Sequence, residues 1–294
     1  MLKAQWMGNY SHDMNKKLGA KFALLFFVLA ISSPLLSQEK EKFTFSVVPQ
    51  MSAQKTQDMW NPILEKFEEK TGYHFRLKMH TSIANFETAL MEGKIDFAYM
   101  NPYHLVMTQK ATPYIPVVRD DSSDLVGILV VKETSDIESI KELQGKQVSF
   151  PSPNAFAASL YMRALLNAKE KIQIEPKYAK THGNVYRNVI FSRAIAGGGV
   201  YRTFHSESEA VQEQLRIIYK TPGVAPHPLA AHPNTSVAVR QKIIDCLQSL
   251  TLNKESRKLL RAIKMPQPVQ ANFERDYKPL LKLNLEQYIE DTHM

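Results

Sequence analysis

Hydrogen-bonding and aromatic side chains gather at four turns in which a predicted strand gives way to a predicted helix. These turns span residues 49–55, 99–103, 152–156 and 181–186. In open α/β sheets, ligands bind beyond the carboxyl ends of the strands, because the helices that begin there present free backbone N–H groups. We therefore expect all four turns to line one binding cleft. The positions that could contact a ligand there are Gln50, Ser52, Gln54, Tyr99, Met100, Asn101, Tyr103, Asn154, Phe156, His182, Asn184 and Tyr186.

The residue types at these turns suit a hydrated, partly aromatic pocket for a small molecule. Glutamine, serine and asparagine offer neutral hydrogen-bonding groups, and tyrosine adds a ring with a polar end. Each position also has a purely structural interpretation. Asn101 precedes Pro102 in the pattern of a helix N-cap followed by proline at the first helical position. Asn154 is a second candidate cap.

No segment of the sequence matches a known catalytic motif. The three glycines at 197–199 lack the spacing of a dinucleotide-binding or phosphate-binding loop, and the chain has no Gly-x-Ser-x-Gly elbow. His227 and His232 lie in a proline-rich loop without acidic or cysteine companions, which makes an incomplete metal site. We therefore predict no catalytic residue, no metal site and no cofactor. A metal-dependent hydrolase that uses His182, His227 and His232 stays open as an alternative.

Composition and charge narrow the class of protein. A chain of 294 residues with 44% hydrophobic and 22% charged side chains has an ordinary globular balance. The net charge is +8, but the basic residues are interleaved with acidic ones and form no stripe, so we predict no binding to nucleic acid. The single cysteine, Cys246, excludes an intramolecular disulfide.

Short apolar runs alternate with amphipathic stretches from residue 43 onward. This order indicates an α/β protein with doubly wound, mostly parallel sheets and flanking helices. The predicted strands cover residues 43–48, 75–79, 95–100, 125–131, 147–150, 172–178 and 215–219. The predicted helices cover 58–70, 84–92, 155–168, 184–195, 236–251, 253–263 and 272–290, with another from Tyr103 onward.

The pattern of a helix followed by an apolar strand at 84–98 recurs one hundred residues later, at 184–198. This recurrence indicates two lobes of similar construction. We expect residues 43–125 to form the first part of lobe 1 and residues 126–220 to form an inserted lobe 2. Residues 221–294 would then return to lobe 1 and add the C-terminal helices. Two chain crossings between lobes make a hinge.

The first 37 residues have the features of a secretory signal peptide. Lys16, Lys17 and Lys21 precede an apolar run of about ten residues and a polar exit. This run is shorter than the ~20 residues that span a bilayer. We predict cleavage near Ser37 and a periplasmic or extracytoplasmic mature protein. A retained membrane anchor is the alternative.

The run from Phe86 to Tyr99, Phe-Glu-Thr-Ala-Leu-Met-Glu-Gly-Lys-Ile-Asp-Phe-Ala-Tyr, carries a family resemblance. Together with shorter pieces, it resembles the phosphate/phosphite/phosphonate-binding proteins of ABC importers, a branch of the type II periplasmic binding fold. The resemblance covers roughly residues 43–250 and implies two α/β lobes, a hinge and capture of an oxyanion in the cleft. The shorter pieces are Trp60-Asn61-Pro62, a linker helix from Ile137 to Gly145, Ser152-Pro153-Asn154, Thr181-His182-Gly183 and Pro226-His227-Pro228.

The resemblance also implies further ligand positions. In phosphonate-binding members, a serine- and threonine-rich turn grips the oxyanion. The matching positions here are Ala155, Phe156 and Ala157, whose backbone N–H groups could hold an anion. His182 matches a family pocket position, and Tyr201 stands near the place of an acidic residue that binds a ligand amine.

A solute-binding role without catalysis follows from this resemblance. The implied ligand is a small anionic or zwitterionic molecule, either phosphonate- or phosphate-like or another organic anion. The implied partner is the membrane permease of an ABC importer, and we expect the binding protein to be a monomer. A membrane sensor kinase is the alternative partner, because the same lobes can serve as an extracytoplasmic sensor.

Overall fold

Two β-sheets form the framework of the protein. The computed structural model describes residues 41–290, so the proposed signal peptide lies outside the described residues. In this part of the chain the strands are β1 Lys42–Val47, β2 His74–Lys78, β3 Phe97–Tyr99, β4 Ile115–Asp120, β5 Gly127–Lys132, β6 Gln147–Phe150, β7 Glu175–Tyr178, β8 Ala196–Val200, β9 Leu215–Lys220, β10 Leu229–Ala231 and β11 Pro268–Gln270.

The first sheet has the strand order β11-β4-β10-β3-β1-β2. Strands β2, β1 and β3 are parallel. Strand β10 is antiparallel to both β3 and β4, and β11 is antiparallel to β4. Four of the six strands therefore run in one direction. Two stretches of the chain build this sheet, residues 42–120 and 229–270.

The second sheet has the strand order β7-β6-β8-β5-β9. Strands β7, β6 and β8 are parallel, whereas β5 is antiparallel to both β8 and β9. Both sheets are thus mostly parallel and carry flanking helices, which confirms the predicted α/β fold class. The lobe boundaries at 43–125, 126–220 and 221–294 stay a prediction.

Capping side chains set the starts of several helices. Ser52, Ser82 and Thr181 each accept a hydrogen bond from a backbone N–H group in the first turn. Gly72 ends the first helix in the left-handed conformation, at a φ of +79°. The α-helices of the described residues are α1 Ala53–Thr71, α2 Ile83–Met91, α3 Pro102–Thr108, α4 Tyr161–Ala168, α5 His182–Ile190, α6 Tyr201–Phe204, α7 Glu209–Gln212, α8 Val237–Ser249 and α9 Lys254–Ala262.

Three predicted helices have different bounds in the structure. Helix α1 begins at Ala53, before the predicted residue 58, because Ser52 caps it. Helix α5 ends at Ile190 instead of residue 195, and Ser192 just beyond it is left-handed with a φ of +55°. The helix predicted over 155–168 begins with a π-helical turn, Phe156–Leu160, that leads into α4.

The segment predicted as one helix over 272–290 is irregular. It consists of a π-helical turn, Phe273–Tyr277, and two 3₁₀ segments, Lys278–Leu283 and Leu285–Tyr288. Pro279 lacks a backbone donor, and Asn284 adopts a left-handed φ of +46°, so a continuous α-helix cannot form. Among residues 41–290, the structure contains no helix with both the length and the apolar character of a membrane span.

Hydrophobic packing joins the two sheets. One cluster seats α1 and α8 on the first sheet, with Trp60 and Phe67 at its centre. A second cluster takes residues from both sides: Tyr103 of α3 is buried together with Phe156 and Tyr161, whose rings stack at 5.6 Å. Burial of apolar surface, at about 25 cal/mol per Å², therefore favours the arrangement in which the two sheets are in contact.

The glycine triplet at 197–199 has a packing role in β8. Successive residues of a strand face opposite sides of a sheet. An added Cβ at Gly198 would lie 2.2 Å from the carbonyl oxygen of Ala158, on the side of the π-helical turn. Added Cβ atoms at Gly197 and Gly199 would collide with α5 on the other side. The triplet thus lets helical segments lie directly on both faces of the strand.

Replacing Gly198 with alanine tests this packing role. We expect Gly198→Ala to lower the free energy of unfolding by about 3 kcal/mol, because overpacking a tight backbone contact forces the helical turn outward. Gly183→Ala is the matched control, since its added Cβ would meet only the ends of the Arg187 and Glu207 side chains, at 3.7 Å or more. Denaturant unfolding of both variants provides the measurement. Equal unfolding midpoints would contradict the packing argument.

The last described residues form hydrogen bonds with α4, which packs on the second sheet. We call residues 285–290 the C-terminal strap. The guanidinium of Arg163 in α4 donates to the Glu290 carboxylate at 2.9 Å and to the Tyr288 carbonyl oxygen at 2.8 Å. Asn154 exchanges hydrogen bonds with the Glu290 backbone at 3.3 and 3.4 Å. Lys110, just beyond α3, pairs with Glu286 of the strap, so the strap connects both sides of the molecule.

Candidate functional site

A cavity of about 90 Å³ lies between the two sheets. The ends of β1 and β3, α1 and the loop before β10 line one side, and the start of α5 and the end of β8 line the other. We call it the intersheet cavity. Its lining residues are Val47, Val48, Gln50, Met51, Met59, Trp60, Tyr99, Asp124, Leu125, His182, Val200, Arg202, Thr203, Pro226, His227, Ile263 and Lys264.

Three packed rings form one wall of the intersheet cavity. The ring centroids of Trp60 and Tyr99 are 4.9 Å apart, and those of Tyr99 and His227 are 5.6 Å apart with an interplanar angle of 25°. Trp60 comes from α1, Tyr99 from β3 and His227 from the loop before β10. The first sheet and its connections therefore hold the imidazole of His227 in a fixed plane at the cavity.

Two histidines line the cavity as neutral imidazoles. Burial lowers the pKa of His182 to about 4. Burial also lowers the pKa of His227 to about 3, with smaller effects of nearby His104, His182 and Arg202. The Nε2 atom of His227 lies 3.1 Å from Nε2 of Gln50, whereas Nδ1 of His182 is buried without a partner in the described residues. A neutral imidazole offers one donor and one acceptor nitrogen, so these rings can bind a polar ligand.

Arg202 brings a fixed positive charge to the cavity. Its Nη1 atom lies 2.9 Å from Oδ2 of Asp120, at the end of β4. The Asp120 side chain, 2% exposed, also accepts hydrogen bonds from the Ser122 hydroxyl and the Gln267 backbone N–H. Lys264 contributes a second cation from a left-handed position at φ +62°. The described lining also holds one carboxylate, that of the exposed Asp124, but two cations and several neutral donors outweigh it and favour an anionic ligand.

Three of the predicted ligand residues line the cavity, namely Gln50, Tyr99 and His182. They come from three of the four predicted turns, so these turns do converge on one space. Their contacts with a ligand stay a prediction.

Four predicted positions near the first sheet serve local structure and do not line the cavity. Ser52 caps α1, and the buried backbone N–H of Met100 donates to the loop before β10. Asn101 caps α3, where its side-chain oxygen accepts a hydrogen bond from the His104 backbone at 2.8 Å. Tyr103 is buried in the cluster that joins the two sheets.

The predicted turn at residues 152–156 does not reach the cavity. The Asn154 side chain is occupied by the backbone of Glu290 in the C-terminal strap. Ala155, Phe156 and Ala157 are buried, and the last two belong to the cluster that joins the sheets. Packing of the strap and of this cluster explains why the turn is covered.

The four remaining predicted residues, Gln54, Asn184, Tyr186 and Tyr201, lie outside the cavity lining. Tyr186 is fully buried with its ring 5.5 Å from that of Phe204. Tyr201 lies at the surface, where the Lys220 ammonium sits 4.5 Å from its ring centroid. Arg202 takes the cavity position instead, because one residue along a helix rotates the side chain by about 100°.

The lining residues with functional side chains that were not predicted as ligands include Trp60, Asp124, Arg202, Thr203, His227 and Lys264. Trp60 and His227 lie in pieces of sequence that carry the family resemblance, which was the available signal. Arg202 stands next to the predicted Tyr201. Lys264 had no local signal, because its loop reaches the cavity only through the packing of α9.

The hydrolase alternative requires three histidines at one place. His227 and His232 lie at opposite ends of β10, and His232 packs edge-on against Tyr114 at 5.6 Å. Of these three histidines, therefore, His182 and His227 line the cavity and His232 does not. Within residues 41–290, no three His, Cys, Asp or Glu side chains form a group that could hold a metal ion. The proposed hydrolase site is not assembled.

The lowered histidine pKa values predict a loss of stability in acid. In the unfolded chain the histidines titrate near pH 6.5, whereas His182 and His227 stay neutral in the fold down to about pH 4 and about pH 3. The unfolded state therefore binds more protons as the pH falls below 6.5, and stability falls with it. We expect His227→Gln to remove on the order of 2 kcal/mol of the loss between pH 7 and pH 4.

Denaturant unfolding at a series of pH values measures this effect. His205→Gln is the matched control, because His205 is exposed on a neighbouring helix end. An acid dependence in His227→Gln equal to that of the control would contradict the assignment of a buried neutral imidazole.

Comparison with known proteins places the fold and the family. Residues 45–277 match the family described as "ABC transporter, phosphonate, periplasmic substrate-binding protein". The Phosphonates-binding periplasmic protein of Escherichia coli (strain K12) is 23% identical over 293 residues, covering 92% of this chain and 85% of that protein. The Phosphate-import protein PhnD of Mycolicibacterium smegmatis is 21% identical over 232 residues, covering 71% of each chain.

A solved structure supports the fold independently. PhnD1 from Prochlorococcus marinus, in complex with methylphosphonate, superposes with a TM-score of 0.74 at 12% identity and covers 84% of this chain and 98% of that chain. The type II periplasmic binding fold implied by the sequence is thereby confirmed. Since the matching region spans most of the sequence, the chain belongs to the phosphonate family of periplasmic substrate-binding proteins of ABC transporters.

Proposed function

We propose that the intersheet cavity binds a small organic anion of the phosphonate or phosphate type, which the protein delivers to the membrane permease of its ABC importer. The observation that carries this proposal is the meeting of Arg202 with the neutral His182 and His227 in one cavity between the sheets. The relatives' names support the ligand class, since they specify phosphonates, phosphate and methylphosphonate.

The lining explains how an oxyanion would be held. Arg202 supplies charge-assisted hydrogen bonds, which are about twice as strong as neutral ones. Gln50 and the two neutral imidazoles supply directional donors without adding charge. The apolar wall of Trp60 and Tyr99 suits an alkyl substituent on the anion. This combination favours an organic oxyanion over a bare inorganic ion.

The ligand-binding side chains come from both sheets, and this origin explains how a ligand would close the cavity. Gln50 and His227 belong to the first sheet's side, whereas His182 and Arg202 belong to the second. A ligand that contacts both sides stabilises the arrangement in which the sheets meet, because those contacts exist together only in that state. Binding would thereby present a closed surface to the permease. We propose that the binding protein acts as a monomer in this role.

The covered turn at 155–157 fits a ligand mode that differs from the family's hydroxyl-rich turn. Here alanine and phenylalanine replace the serine and threonine side chains, and Phe156 stacks on Tyr161. The phosphonate-type oxyanion would accordingly rely on Arg202 and the histidines for its hydrogen bonds.

Titration calorimetry with methylphosphonate, phosphate and acetate tests the proposed ligand class. We expect methylphosphonate to bind, and binding to weaken at least about tenfold in Arg202→Gln, because one charge-assisted contact in a partly desolvated site has this size. The variant also carries Asp120→Asn, since removal of Arg202 alone would leave a buried carboxylate unpaired. Arg193→Gln is the control at an exposed arginine. Absence of heat with every oxyanion in the unmodified protein would overturn the proposal.

We further propose that residues 1–37 direct export and are removed near Ser37, in keeping with the periplasmic location of the family. The expected mature chain begins close to Gln38. Intact-mass measurement of the protein from the cell envelope distinguishes cleavage from retention as an anchor. A mass equal to that of the full 294 residues would contradict cleavage.

A further inference from the structure

A second, open cavity of about 480 Å³ adjoins the intersheet cavity. We call it the basic vestibule. Its lining includes Tyr201, His205 and Arg261, and it shares Arg202 and Lys264 with the intersheet cavity. These two cations therefore stand at the boundary between the enclosed space and the open one.

Positive charge in the vestibule is only partly compensated. Arg202 pairs with Asp120, but in the described part of the chain neither Lys264 nor Arg261 has a carboxylate within ion-pair distance. Among residues 41–290, no carboxylate lines the vestibule. Partial burial, together with Arg202 and Lys55, lowers the pKa of Lys264. Three cations thus lie close together there, and among the described residues only Arg202 has a counter-charge, that of Asp120.

The vestibule draws on both sides of the molecule. Tyr201 and Arg202 follow β8 of the second sheet, whereas Arg261 and Lys264 come from the end of α9, which packs on the first sheet's side. Repulsion between these cations opposes contact between the two sides. An anion placed among them would replace that repulsion with attraction on both sides at once.

We propose that the ligand carries a second acidic group and that the basic vestibule binds it. This inference rests on the proposed function, because the first anionic group is placed in the intersheet cavity. That cavity has a volume of about 90 Å³. One molecule in liquid water occupies roughly 30 Å³, so the cavity has room for about three waters. It holds a headgroup, and the remainder of a larger ligand extends past Arg202 and Lys264. The ligand class is a phosphonate or phosphate ester with a further carboxylate or phosphoryl group.

Calorimetry with two probes separates the inference from the proposed function. Methylphosphonate carries one acidic group, and phosphonoacetate adds a carboxylate. We expect phosphonoacetate to bind about fivefold more tightly, the size of one well-placed exposed ion pair. Arg261→Gln should abolish this advantage and leave methylphosphonate affinity within about twofold, because Arg261 lines only the vestibule. Arg257→Gln, exposed on the same helix, should change neither affinity.

Each other outcome has a distinct meaning. Equal affinities for the two probes in the unmodified protein, or an advantage that survives Arg261→Gln, overturn the vestibule inference and leave the proposed function intact. An advantage lost equally in Arg257→Gln also overturns it, since the effect would then come from overall charge. Absence of binding by both probes overturns the proposed function and this inference with it.

Discussion

The ion pair between Arg202 and Asp120 is the contact on which the site depends. Asp120 ends a strand of the first sheet, and Arg202 follows a strand of the second. A buried carboxylate needs compensation, because the cost of desolvating its charge exceeds several kcal/mol when it stands alone. The fold therefore keeps a guanidinium at the boundary of the cavity. One ion pair therefore both places the Arg202 guanidinium at the cavity and connects the two sheets.

Neutral imidazoles complement this cation in a way that charged ones could not. His182 and Arg202 both lie close enough to His227 to lower its pKa further, beyond the larger effect of burial. Additional positive charge at this point would have to be offset by buried anions, whereas the one carboxylate in the described lining, that of Asp124, is exposed. The cavity thus offers directional hydrogen bonds while its charge remains limited. Such a lining discriminates between ligands by their shape and by the positions of their hydrogen-bonding groups as well as by their charge.

Local sequence patterns were sufficient for the main elements but insufficient for the site. Alternating apolar runs and the Asn101 cap before Pro102 predicted the α/β class, because they act over a few residues. Strands β4, β10 and β11 were missed, since they pair with segments distant in the sequence. Asn154 seemed a ligand residue by type, yet a backbone 136 residues away occupies it. Side-chain direction within a turn, which decides between Tyr201 and Arg202, depends on tertiary packing.

The C-terminal strap has a consequence for how cargo leaves the protein. Its backbone and its carboxylate hold Asn154 and Arg163 on the second sheet's side, while Glu286 pairs with Lys110 on the other. A movement that separates the two sheets must break the hydrogen bonds of the strap on one side or its ion pair on the other. Opening of the cavity would therefore require the strap to leave one of its two attachments.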